Sequence, residues 1–122
     1  RAEGRNALLL YGPDWGYAKP WQQTRSFTDY RVLQQRAAFR VFWLGAEPAQ
    51  AALRLRAAAV GGNKVVSLAG LATREFPANQ LIPVEIGPLI LQPGENSVEL
   101  RDVGRAAGNA ALFVESVELA IP

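Results

Sequence analysis

Cysteine, histidine and methionine are all absent from the 122 residues of this chain. Without cysteine, the chain can form no disulfide, no thiolate nucleophile and no cysteine-based metal site. Without histidine, it lacks both the commonest general base and the commonest transition-metal ligand. No serine or threonine therefore has a histidine partner to activate it. The missing residue types predict a protein that has no catalytic activity of its own and needs no cofactor.

The missing methionine and the lack of long apolar runs bear on the chain's origin. The sequence begins "RAEGRN" without an initiating Met, so we expect a processed or excised part of a larger protein. No apolar run approaches the ~20 residues of a membrane helix, and the N-terminus has no signal-peptide pattern. We therefore expect residues 1–122 to form a single domain that does not itself span a membrane. The absence of cysteine does not decide its compartment.

Charge is close to balanced, with 13 basic and 11 acidic side chains giving a net charge of +2. The arginines alternate with apolar residues and form no phosphate-binding stripe, so nucleic acid is not an expected partner. Four of them are expected to share one sheet face: Arg36, Arg40, Arg54 and Arg56. One interpretation is a solvated face that discourages edge pairing. The other is a surface for anionic lipid or an acidic partner domain.

Short apolar segments separated by Gly, Pro and Asn recur along the chain. In residues 51–62, Leu53 and Leu55 alternate with Arg54 and Arg56, a period of two that indicates a half-buried strand. Turn signals every ~8–12 residues indicate a sandwich or barrel. The sequence predicts an all-β fold of about eight antiparallel strands, drawn from residues 6–12, 24–30, 36–45, 51–62, 63–70, 81–87, 88–94, 95–103 and 111–121.

Several local features sharpen this prediction. Residues 51–62 and 63–70 are expected to form a hairpin through Gly61-Gly62-Asn63. Pro83 and Pro88 cannot donate to a ladder and indicate an edge strand or a bend. Pro93-Gly94 suits a type II turn, with Asn96 bonded to the turn backbone. Helical spacing near residues 30–36 allows one short helix, and the Ala-rich residues 47–60 have helical propensity but are assigned to a strand.

The last strand poses a question of register. Strict alternation over residues 111–121 would place Phe113, Val117, Leu119 and Ile121 on one face, with Glu115 among them. A carboxylate on an apolar face predicts either a position at the sheet rim or a β-bulge that shifts the register.

The segment "YGPDWGYAKPW", residues 11–21, concentrates aromatic residues in a loop. Exposed rings on such a loop could stack on the apolar face of a sugar while polar neighbours bind its hydroxyls. The ligand-binding residues expected on this basis are Asp14, Trp15, Tyr17, Trp21 and Arg25. The alternative is that the loop covers one end of the core, because each ring would remove ~150–250 Å² of surface from water.

Carboxylates give no sign of a catalytic pair or a metal site. A glycosidase needs two acids ~5–10 Å apart, and no two acids here fall in a motif that implies a shared pocket. A structural Ca²⁺ bound by carboxylate and carbonyl oxygens is a possibility that the sequence does not support, because it has no dense acidic loop.

The chain resembles a galactose-binding-like β-sandwich. The segments that carry the resemblance are "LYGPDWG", "RAAFRVFW", "ALRLRA", "NKVVSLAG", "LILQPGENSVEL" and "ALFVESVEL". More narrowly, they look like the jelly-roll domains appended to bacterial membrane proteins such as glycosyltransferases. The resemblance implies a single jelly-roll β-sandwich, a carbohydrate-binding accessory role and an extracytoplasmic location, periplasmic or at the cell surface.

Three functional hypotheses follow. The first is a non-catalytic module whose aromatic loop binds a glycan on behalf of a larger extracytoplasmic or membrane-attached protein. The second is a structural or interaction domain that docks on a parent membrane protein or partner domain, with its aromatic loop buried. The third is a self-assembling subunit. Exposure of Trp15 and Trp21 distinguishes the first hypothesis from the second.

Overall fold

A computed structural model describes residues 6–19, 30–104 and 110–122. Within these ranges the chain forms strands and turns and no helix. The strands are β1 (Ala7–Tyr11), β2 (Gly16–Ala18), β3 (Tyr30–Leu33), β4 (Arg36–Trp43), β5 (Ala49–Val60), β6 (Lys64–Leu68), β7 (Ala72–Phe76), β8 (Ile82–Leu91), β9 (Gly94–Asp102) and β10 (Ala111–Ala120). The prediction of an all-β fold is confirmed.

The strands build two five-stranded sheets that pack face to face as a sandwich. Sheet A has the order β1-β4-β9-β6-β7, and sheet B has the order β2-β3-β10-β5-β8. All of the described strand pairs are antiparallel. The core between the sheets contains fully buried side chains from both, including Phe39 and Leu100 of sheet A and Leu33, Leu53 and Leu112 of sheet B.

Strand β5 shows why alternation identified the strands so well. Leu53, Leu55 and Ala57 are buried in the core, whereas Arg54 and Arg56 point outward and are exposed. In β10 the predicted bulge is present, since the register against β5 shifts between Val114 and Ser116. The shift places Leu112 and Val114 inside before the bulge and Leu119 inside after it. Phe113 therefore lies on the opposite face from Leu119, contrary to strict alternation.

The predicted turn at Pro93-Gly94 is confirmed. Gly94 has a positive φ of 99°, which glycine adopts without steric cost. The Asn96 amide holds the turn: its Oδ1 accepts from the Gln92 N–H at 2.8 Å, and its Nδ2 donates to the carbonyls of Gln92 at 2.9 Å and Gly94 at 3.1 Å. Pro83 and Pro88 both lie in β8, which is one of the two edge strands of sheet B, as the sequence predicted.

The predicted hairpin between residues 51–62 and 63–70 is wrong. Strand β5 pairs with β8 and β10 in sheet B, and β6 pairs with β7 and β9 in sheet A. The connection crosses from one sheet to the other. Gly61 and Gly62 have positive φ values of 92° and 141°, a conformation that serves a corner between sheets as well as a hairpin, so the glycines alone could not distinguish the two.

The short helix near residues 30–36 is also absent. Residues 30–33 form β3, and β4 begins at Arg36. Tyr30, Val32 and Leu33 are all buried because both faces of β3 are covered at this point. A strand covered on both faces has consecutive apolar residues, which can mimic helical spacing. The sequence also missed β2 and β7, because β2 has three residues and four of the five β7 residues are exposed.

The four arginines expected on one face lie on both sheets. Arg36 and Arg40 belong to β4 of sheet A, whereas Arg54 and Arg56 belong to β5 of sheet B. Each lies beside a glutamate on a neighbouring strand, with Arg–Glu N–O distances of 3.9, 2.8, 3.1 and 3.0 Å for Arg36, Arg40, Arg54 and Arg56 respectively. These four arginines therefore do not form one cationic face. The interpretation of that face as a surface for anionic lipid fails for the same reason.

A buried ion pair joins two neighbouring strands of sheet A, β6 and β9. Lys64, at the start of β6, is 2% exposed, and its Nζ donates to Asp102 Oδ2 of β9 and to the Ala110 carbonyl, both at 2.8 Å. Asp102 Oδ1 accepts from the Gly104 N–H at 2.9 Å. Desolvation would raise the pKa of Asp102, but the hydrogen bonds from Lys64 and Gly104 outweigh it and lower the pKa below its ordinary value of 3.8.

Candidate functional site

The aromatic segment begins at the end of β1, where the chain turns sharply against β4. Gly12 N–H donates to the Ala38 carbonyl at 2.8 Å. A Cβ at position 12 would lie 2.6 Å from that same oxygen, so no larger residue fits without moving backbone. This close approach lies where the chain leaves β1 of sheet A on its way to β2 of sheet B.

Trp15 lies inside the protein, which corrects its expected place in a ligand site. Its side chain is 6% exposed, and Nε1 donates to the Ala38 carbonyl at 2.9 Å. The indole packs against Tyr11 with ring centroids 5.3 Å apart and against Phe39 at 5.0 Å. Burial of its apolar surface and satisfaction of its only donor explain why the ring is inside. A buried ring offers no face to a sugar.

Tyr17 has the opposite placement. It is 61% exposed and lies in the middle of β2, the edge strand of sheet B opposite β8. Its register partner on β3 is Arg31. The Arg31 guanidinium carbon lies 4.4 Å from the Tyr17 ring centroid and 4.2 Å from the Tyr11 ring centroid. Such contacts contribute ~0.5–1 kcal/mol each at exposed sites, so Arg31 favours this orientation of the Tyr17 ring.

The Tyr11–Arg31–Tyr17 stack joins the two sheets. Arg31 lies two residues before the core residue Leu33 on β3 and therefore points toward sheet A, from which Tyr11 approaches. Burial raises the pKa of Tyr11, and the charge of Arg31 partly offsets this effect. The result is a partly exposed aromatic and cationic surface at the edge of the sandwich. Asp14 is exposed in the turn just before it.

The expected site residues thus separate. The structure brings Tyr17 to the surface, leaves Asp14 exposed nearby and places Trp15 in the core. Trp21 and Arg25 lie outside the described residues, so their place in the site stays a prediction. The sequence missed Arg31, because only the pairing of β2 with β3 brings it against Tyr17. The single available signal was that Arg31 lies between Tyr30 and Val32, where alternation puts it on the opposite face from those residues.

The described residues can be searched for metal-binding groups and for helices that could cross a membrane. In residues 6–19, 30–104 and 110–122, no group of three His, Cys, Asp or Glu side chains could hold a metal ion. The same residues include no helix that is long and apolar enough to cross a membrane.

Comparison with known proteins identifies the fold. No protein-family model matches the chain, and a search of curated proteins found no match. Among solved structures, the CBM36-1 domain of a multidomain xylanase from the hindgut metagenome of Trinervitermes trinervoides is similar, with a TM-score of 0.57 and 11% identity over 94% of this chain and 97% of that one.

Two further structures share this architecture. A family 36 carbohydrate-binding module in complex with calcium and xylotriose gives a TM-score of 0.56 and 12% identity over 93% of this chain and 99% of that one. A family 35 carbohydrate-binding module from Clostridium thermocellum gives a TM-score of 0.52 and 10% identity over 93% of this chain and 90% of that one. At these identities the likeness establishes the fold alone: this chain is a jelly-roll β-sandwich.

Proposed function

We propose that this chain is a non-catalytic accessory module that binds a glycan, as part of a larger extracytoplasmic or membrane-attached protein. The observation that carries the proposal is the exposed ring of Tyr17, which contacts Arg31 at the sandwich edge. An exposed aromatic ring with a preferred orientation is suited to stack on the apolar face of a pyranose, because less side-chain freedom is lost on binding. The similarity to carbohydrate-binding modules supports this function.

The surroundings of Tyr17 supply polar groups for sugar hydroxyls. The Asp14 carboxylate can accept hydrogen bonds from hydroxyl groups, and the Arg31 guanidinium can donate them. Trp21 and Arg25, which follow β2 in the sequence, stay in the proposed site as predictions from the sequence. The parent that such a module would serve acts on or transfers sugars, and a membrane glycosyltransferase-type protein in the periplasm or at the cell surface is our proposal for it.

Replacing Tyr17 with alanine tests the proposal. Electrophoresis in gels that contain soluble xylan, galactomannan or β-glucan measures binding as retardation of the protein. We expect at least one polysaccharide to retard the wild type and Tyr17→Ala to weaken that binding about tenfold, which corresponds to ~1.4 kcal/mol for a lost aromatic contact. Tyr17→Phe should bind like the wild type, because the ring and not the hydroxyl makes the contact.

A matched control addresses general surface effects. Leu44 is 72% exposed after β4, so Leu44→Ala removes an apolar side chain elsewhere that is at least as accessible as Tyr17. It should leave retardation unchanged. The proposed function is contradicted if no polysaccharide in the panel retards the wild type, or if Tyr17→Ala migrates like the wild type in every gel.

An interaction domain is the second candidate, and one specific observation favours it. Leu8 and Leu10 are 50% and 43% exposed on the outer face of β1, which is the edge strand of sheet A in the described part of the chain. Apolar side chains beside an open strand edge are suited to contact another protein surface. The burial of Trp15 fits this candidate too. It predicts no retardation by any glycan and association with a parent domain or a second copy.

A further inference from the structure

We propose that the outer face of sheet B carries a second glycan-binding site, a groove that accepts an uncharged sugar chain. The groove has a volume of about 630 Å³ and lies on β5, β8 and β10. The site proposed above involves β2, at the opposite edge of the same sheet. This inference rests on the proposed function for its class of ligand, but it uses none of the residues around Tyr17.

The floor of the groove is made of small residues. Ala52 and Ala120 are register partners on β5 and β10, and Gly87 of β8 lies against Ala52. A Cβ on Gly87 would be 3.0 Å from the Ala52 Cβ, so the backbones approach closely here. The ladder between β5 and β8 is irregular at this point, where the register shifts between Ala51 and Leu53. These small residues leave room for a ring to lie flat on the sheet, with Pro88 and Ile121 also lining the groove.

One wall of the groove is a charged row across three strands. Arg54 of β5 has Glu85 of β8 on one side and Glu118 of β10 on the other, each its direct register partner. Arg54 Nε donates to Glu85 Oε1 at 3.1 Å. Glu118 is exposed on the other flank. The row therefore offers several donors and acceptors at fixed spacing, with two carboxylates to one guanidinium.

This arrangement selects for ligand chemistry. An anionic chain would be repelled by the two carboxylates, and the guanidinium that could attract it is already engaged by Glu85. Vicinal hydroxyls both donate and accept, so they can bond to carboxylate and guanidinium in the same row. An extended peptide binds mainly through its backbone at an open strand edge, and the groove lies on a sheet face. The pattern therefore favours a neutral glycan over an acidic glycan or a peptide.

The groove continues beyond the charged row. A second depression of about 290 Å³ shares Arg54, Glu85 and Glu118 and extends to Arg56, Pro83 and Ser116. Together the two depressions follow the strands from Gln50 to Arg56 on β5, a path of ~20 Å at the usual rise per residue. A path of this length suits several consecutive units of a chain and not a single monosaccharide.

Filling the groove tests the inference. Ala120→Trp places an indole on the floor, and Leu71→Trp adds the same indole at an exposed turn between β6 and β7 as the matched control. Isothermal titration with xylohexaose, mannohexaose and cellohexaose gives affinity and stoichiometry. We expect the wild type and Leu71→Trp to bind two molecules of at least one hexasaccharide, and Ala120→Trp to bind one. Glu118→Ala should weaken the groove site about tenfold.

The outcomes separate this inference from the proposed function. If Ala120→Trp binds one hexasaccharide and the double variant Ala120→Trp with Tyr17→Ala binds none, both the groove site and the proposed function are supported. If Ala120→Trp binds every hexasaccharide as Leu71→Trp does, the groove is not a site. In that case the proposed function still stands if Tyr17→Ala by itself weakens hexasaccharide binding. If the wild type binds none of the three, both fail. Equal or tighter binding of a trigalacturonate in the groove overturns the selection for uncharged sugars.

Discussion

Replacing Asp102 with alanine will lower the free energy of unfolding by about 3 kcal/mol. The substitution leaves the Lys64 ammonium 2% exposed with only the Ala110 carbonyl as its partner. Breaking a buried pair by removing one partner costs ~3–5 kcal/mol. The lower end applies because the Asp102 side chain is 22% exposed and the pair is not completely shielded. Urea titration followed by tryptophan fluorescence measures the loss as a lower midpoint.

The partner substitution provides the control. Lys64→Met removes the buried charge itself and leaves a carboxylate that water can still reach, so it should cost less, about 1–2 kcal/mol. The double variant Lys64→Met with Asp102→Ala should be more stable than Asp102→Ala alone, because no charge is then left buried without a partner. A loss below ~1 kcal/mol for Asp102→Ala would show that the pair does not hold β6 to β9.

Acid should weaken the same pair. Because Asp102 has a folded-state pKa below its ordinary value of 3.8, the stability that it contributes is fully present above that value. It is lost as the pH falls through the lowered folded-state pKa. The stability difference between wild type and Lys64→Met should therefore be constant from pH 5 to 7 and should shrink below pH 4.

Gly12→Ala will destabilise the protein by a similar amount, about 3 kcal/mol. The new methyl group would lie 2.6 Å from the Ala38 carbonyl oxygen, and a backbone atom cannot rotate away as a side chain can. Overpacking costs ~1–3 kcal/mol, and that carbonyl also accepts hydrogen bonds from Gly12 N–H and Trp15 Nε1. The clash therefore disturbs β1, β4 and the anchor of the aromatic segment at once.

Gly16→Ala is the matched control for Gly12→Ala. A Cβ at Gly16 has its nearest neighbour at 3.7 Å, an ordinary contact, so the change should stay within ~0.5 kcal/mol. In Gly12→Ala the indole N–H resonance of Trp15 should also shift, because its acceptor moves. If Gly12→Ala unfolds at the wild-type urea concentration, the close packing of this turn does not anchor the aromatic segment.

The sequence predicted the parts of the fold that depend on one strand at a time. Leu53 and Leu55 against Arg54 and Arg56 identified β5, and the misplaced Glu115 indicated the bulge in β10. Such patterns do not show which strands pair with each other. Gly61 and Gly62 fit a hairpin and a corner equally well, so the sequence pattern does not show that β6 belongs to the other sheet from β5. For the same reason it predicts one face for four arginines of which two lie on each sheet.

Only part of the candidate site could be predicted from the sequence, for the same reason. Composition located the aromatic segment, but burial of an individual ring depends on what the rest of the fold places beside it. Trp15 is covered because Phe39 and Tyr11 meet it from sheet A, and Tyr17 is exposed because β2 is an edge strand. The contact of Arg31 with Tyr17 and the groove on sheet B both depend on which residues of neighbouring strands lie opposite each other. No local segment of the sequence encodes that register.

One measurement tests the central claim, that a glycan binds the exposed Tyr17 surface and not the buried tryptophan. Amide and indole chemical shifts of the ¹⁵N-labelled protein would be followed while xylohexaose, mannohexaose and cellohexaose are added in turn. The account predicts that at least one sugar shifts the amides of residues 16–18 and 31 while the Trp15 indole resonance changes little. Shifts confined to residues away from Tyr17, or no shift with any of the three sugars, would contradict it.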